Sequence, residues 1–92
     1  MSNENEMVLG LIERCGAAVR AGVTRDGALR RVLRDEVQRL VKEAPPRDFL
    51  EWVKEDREYS CYYYDAQQSG VCAKPAEIMA MILESIALDA LE

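Results

Sequence analysis

Residues 75–91 read as a single helix that is apolar on more sides than one small core can use. With Pro75 at the first helical position, its missing N–H costs nothing. At about 100° per residue, Met79, Ile82, Leu83, Ile86 and Ala90 make one continuous stripe. Glu77 and Glu84 lie on the opposite side, yet Met81 and Leu88 sit between and beside them. A helix apolar nearly all round wants covering on nearly all sides. In a chain of 92 residues the simplest second cover is another chain. The sequence therefore predicts a homodimer through the C-terminal helix. Met81 and Leu88 would join Ile82 and Ile86 of the inner stripe at the contact.

The remaining pattern is helical as well. Val8, Leu11, Ile12, Cys15, Val19 and Gly22 recur at helical spacing, so residues 5–21 read as an amphipathic helix with Gly22 as its stop. Thr24 is a good N-cap for a second helix. Leu29, Val32, Leu33, Val37, Leu40, Val41 and Ala44 form its apolar stripe, and Pro45 ends it. Along it Arg31, Asp35, Arg39 and Glu43 stand four residues apart, as an ion-pair ladder would. Pro45-Pro46 opens a third helix anchored by Phe49, Leu50, Trp52 and Val53. The charged run 54–58 empties that stripe, Tyr59 and Tyr63 resume it, and the reading is one helix to about Gln68, with a break near 57–60 as the alternative. The expectation is one all-α domain over 1–92. It is a bundle of about four helices with a disordered tail at 1–4.

Composition narrows the class. The chain is 49% hydrophobic and 32% charged, a globular profile. Its N-terminus is acidic and its longest strongly apolar run is far short of a membrane span, so the default is cytoplasmic and away from membranes. Three cysteines fit reduced thiols in that compartment, with a Cys61–Cys72 bridge as the oxidising alternative. The net charge of −5 conceals a division: residues 20–47 carry a local +4 and residues 48–92 a local −7. The two halves could attract each other or mark two binding faces.

Signals for an enzyme are weak. With no histidine the commonest general base is missing. Three cysteines cannot supply four zinc ligands without carboxylates or a second chain. The five glycines are scattered, and none precedes the Lys-Ser or Lys-Thr of a phosphate loop. The expectation is a protein without catalytic activity, metal or cofactor.

The sharpest motif spans Ala17–Leu33. Ala18 lets two helices approach, Gly22 makes the turn, and Val23-Thr24 opens the next helix. The segment resembles the helix-turn-helix of the tetracycline-repressor and lactose-repressor families. That resemblance implies a DNA-binding regulator whose Arg25, Arg30, Arg31 and Arg34 face DNA, chiefly its phosphates. Arg31 falls where those families carry an apolar residue, and the unbroken helix 5–21 leaves no room for their preceding helix. A plain helix–Gly–Thr-cap–helix hairpin explains the same residues.

Tyr59, Tyr62, Tyr63 and Tyr64 cannot all face one core. Exposed Tyr and Trp are typical interface anchors, which makes these four, with Trp52 at the edge, a candidate partner-binding patch. Asp56, Glu58 and Asp65 around them disfavour base stacking. The leading expectation is a small interaction protein: a regulator, adaptor or inhibitor of another macromolecule. One variant is an acidic inhibitor, of the kind phages encode, seated on its target's nucleic-acid-binding surface.

Overall fold

The structure, a computed structural model, describes residues 3–23, 27–68 and 74–91. All regular structure among them is α-helical: α1 (Asn3–Arg20), α2 (Gly27–Glu43), α3 (Pro46–Glu55), α4 (Ser60–Gln68) and α5 (Pro75–Ala90). The all-α class is as expected from the periodicity. No helix among the described residues is long and apolar enough to cross a membrane.

Helix ends follow local chemistry. α1 begins at Asn3, inside the stretch expected to be a tail, and Glu4 and Glu6 meet the positive end of its dipole. It closes at Gly22, whose φ of 99° is the left-handed conformation glycine adopts freely. The Gly22 N–H donates to the Val19 carbonyl and the Val23 N–H to the Ala18 carbonyl, a Schellman closure. The Thr24 cap lies outside the described residues. Pro46 opens α3 and Pro75 opens α5, both with the proline where no amide bond is lost.

One expected element divides. The helix from Pro46 to Gln68 is two helices, α3 and α4, because Asp56 interrupts it. Asp56 is extended, at φ −75° and ψ 135°, and its N–H still donates to the Val53 carbonyl, ending α3. Its carboxylate then accepts the N–H of Glu58 at 2.9 Å and of Tyr59 at 3.0 Å. Its carbonyl accepts the Ser60 N–H. Asp56 thus caps the end of one helix and the start of the next. Asp side chains compete for backbone amides in this way, and the charged run gave no apolar stripe to oppose it.

The ion-pair ladder on α2 is also rearranged. Arg39 reaches Glu43 at 3.6 Å, but its stronger partner is Glu36 at 2.6 Å. Glu36 also accepts from Arg14 of α1 at 2.7 Å. The two guanidiniums hold the Glu36 carboxyl below the usual range, chiefly Arg39 of the same helix, while Arg14 ties α1 to α2.

The core is one cluster. Val8, Leu11 and Cys15 of α1 meet Leu33, Val37 and Leu40 of α2, Phe49 and Val53 of α3, and Tyr59. α5 is the central helix and packs against all four others. Met79, Ile82, Leu83, Ile86 and Ala87 are at most 2% exposed. Ala90, expected on the stripe, is exposed instead, since the buried positions follow the 79, 82/83, 86/87 helical repeat. The all-round apolarity of this helix is therefore largely met within the chain. Ile82 and Ile86, expected at a dimer contact, are core residues. Only Met81 and Leu88 remain as surplus, each 37% exposed.

Candidate functional site

Tyr62 and the two surplus residues of α5 line one groove. α4 contributes Tyr62, Asp65 and Ala66, and α5 contributes Met81, Ser85, Leu88 and Asp89, around a volume of about 350 Å³. The spacing explains the assembly. Positions 62, 65 and 66 share one face of α4, and positions 81, 85 and 88 share one face of α5. Ala66 and Ser85 are small, which leaves room between larger neighbours.

The Tyr62 hydroxyl donates to Asp89 at 2.7 Å, tying α4 to the end of α5. This bond to a carboxylate, aided by burial, pushes the Tyr62 phenol up to about 12. Neither α4 nor α5 contains a basic residue, so the two helices border the groove with Asp65 and Asp89 and supply no cation to it.

The four tyrosines divide between core and surface rather than forming one patch. Tyr59 is 7% exposed and belongs to the core, and burial pushes its phenol up. Its ring continues a series Phe49–Trp52–Tyr59–Tyr62 with centroids 5.9–6.4 Å apart. Trp52 is half-buried against the core as part of that series. Tyr63 is half-buried, accepts a hydrogen bond from Gln67, and meets Tyr64 edge-on at 5.5 Å. Tyr64 is the exposed one, at 53%. The reason is geometry: Tyr59, in the turn just before α4, and positions 62 and 66 on α4 face inward at helical spacing, and 64 does not.

Arg30, Arg31 and Arg34 lie together on the exposed face of α2, lining a cleft with Gly27. They make no ion pair among the described residues, whereas Arg14 and Arg39 do. Arg25 lies outside the described residues. A small cleft joins this patch to α5, lined by Arg30, Leu33, Arg34, Glu84 and Leu88. Leu88 is therefore shared by the basic side and the acidic groove. One surface runs from arginines through an apolar centre to carboxylates.

The sequence pointed to Tyr62, Met81 and Leu88, and to Asp65 as part of the acidic surround of the tyrosines, but not to Ala66, Ser85 or Asp89. Ser85 could have been found, since it stands about 40° from Met81 on the helical wheel. Nothing local announces the Tyr62–Asp89 bond across 27 residues.

Among the described residues no group of three or more His, Cys, Asp or Glu is placed to hold a metal. Cys15 is buried, which pushes its thiol up, and Cys61 is exposed. Cys72, and with it the considered bridge, lies outside the described residues. The chain matches no family model, no curated protein and no solved structure.

Proposed function

We propose that this chain is a non-enzymatic cytoplasmic protein-interaction module, and that the acid-bordered groove between α4 and α5 is its docking face. The occupant that suits it is an amphipathic helix with an apolar stripe and basic flanks. Met81 and Leu88 offer apolar contact, Ala66 and Ser85 leave room for a knob, and Asp65 and Asp89 select positive charge. The observation that carries the reading is this pairing of partly exposed apolar side chains with carboxylates in a groove whose lining residues include no cation. Such a groove would let the protein act as an adaptor or inhibitor by covering a basic helix of its target.

The probe is a synthetic helix with leucines at i, i+3 and i+7 and arginines on both flanks, followed by NMR. Shifts should concentrate at Tyr62, Asp65, Met81 and Leu88, and Met81→Glu with Leu88→Glu should weaken binding at least about tenfold. Binding unchanged by those substitutions refutes the proposal.

Arg30, Arg31 and Arg34, exposed together on α2 and without an ion pair among the described residues, support a second reading, a DNA-binding regulator. It requires duplex binding that falls steeply with salt and disappears in Arg30→Ala with Arg34→Ala.

A further inference from the structure

We propose that the first occupant of the α4–α5 groove is a second copy of this chain, and that this dimer masks the docking face. The inference rests on the groove being a docking face, and it names what fills it when no partner is present. Three observations support it. Arg30, Arg31 and Arg34 are exposed and unpaired among the described residues of an acidic chain. Asp65 and Asp89 border a groove whose two helices carry no basic residue. Leu88 belongs to the lining on both sides.

A surface that is basic on one side of an apolar centre and acidic on the other is complementary to itself. In a two-fold interface, each side of one copy meets the opposite side of the other. An axis through Leu88 lays each copy's Arg30 and Arg34 against the other's Asp65 and Asp89. Leu88 and Met81 then pack at the centre, and the charge contacts form twice. Because arginines of the second copy occupy the border that a basic partner helix needs, dimer and partner complex exclude one another. Docking then depends on the concentration of the protein itself.

The test is sedimentation of the full chain at about 50 mM and about 500 mM NaCl, since screening weakens exposed charge contacts. The expected result is a dimer at low salt whose dissociation constant rises at least about tenfold at high salt. Arg30→Glu with Arg34→Glu, and separately Asp65→Arg with Asp89→Arg, should each give a monomer with wild-type helicity by circular dichroism. An equimolar mixture of the two should dimerise again. The basic probe helix added to wild type should produce monomers bound to peptide. A wild-type monomer at both salts overturns the inference, and peptide binding to that monomer would leave the docking reading intact. Dimers that survive either charge reversal overturn it too, as does a dimer that binds peptide without dissociating. A salt-sensitive, mixture-rescued dimer that ignores the peptide removes the docking reading and the masking with it, leaving self-association alone.

Discussion

Replacing Asp56 by alanine should loosen the joint that sets the angle of α4. One carboxylate satisfies two amides, those of Glu58 and Tyr59, at 2.9 and 3.0 Å. Loss of an N-cap side chain typically costs about 1 kcal/mol. Loss of a negative charge at the N-terminal end of α4 removes about a further 0.3–1 kcal/mol. α4 has nine residues, too few to hold itself together in water, so little local structure compensates. The expected destabilisation is about 1.5 kcal/mol, or a fall in Tm of about 6–12 °C for a domain of this size. Asp56→Asn keeps an acceptor and loses the charge, so it should fall between the alanine variant and wild type. Thermal and urea unfolding followed by circular dichroism measure both. Amide exchange at Glu58 and Tyr59 should accelerate in the alanine variant before global unfolding. An alanine variant within about 0.3 kcal/mol of wild type would refute the claim that this carboxylate divides α3 from α4.

Other consequences separate backbone, core and surface effects. Gly22→Ala should lose about 1 kcal/mol in urea unfolding, although a methyl group there meets nothing within 4 Å, because φ is 99°. Leu83→Ala, in the centre of the core, should lose about 3 kcal/mol. Leu88→Ala in monomer should lose less than about 1 kcal/mol in the same assay, and equal losses would contradict the placement of α5. Tyr62→Phe should cost about 1 kcal/mol at neutral pH, since its bond to Asp89 is partly solvated. Its phenol is raised when folded, so the stabilisation is complete below pH about 10 and is lost as pH rises through about 12. Tyrosinate absorbance should lose its latest-titrating component in that variant.

Much of the architecture was readable because local rules agreed with the period. Pro46 and Pro75 as first helical residues, Gly22 as a stop, and the stripes of α1 and α2 each rest on interactions within a few residues. The break at Asp56 was harder. Its carboxylate competes for amides at two and three residues' distance, and a charged run can be a solvated helix face or a capped turn with the same letters. The tyrosines were legible as too many for one core, but their division required knowing where α4 begins. A shift in its starting residue rotates every side chain by about 100°.

The centre of the bundle shows why composition alone overstated the case for association. A helix apolar on most sides has two explanations: a partner chain, or a central position among its own neighbours. α5 takes the second, packed by four helices, and its inward positions are closed to solvent. The wheel set Met81 and Leu88 opposite Met79 and Leu83; what it could not give was which of its sides the chain's own helices would cover. Met81 and Leu88 are left partly uncovered in a groove where their neighbours include the small side chains of Ala66 and Ser85. Binding therefore turns less on the amount of apolar surface than on Met81 and Leu88 and the charges that flank them: among the described residues, arginines without ion pairs on one side and carboxylates without ion pairs on the other.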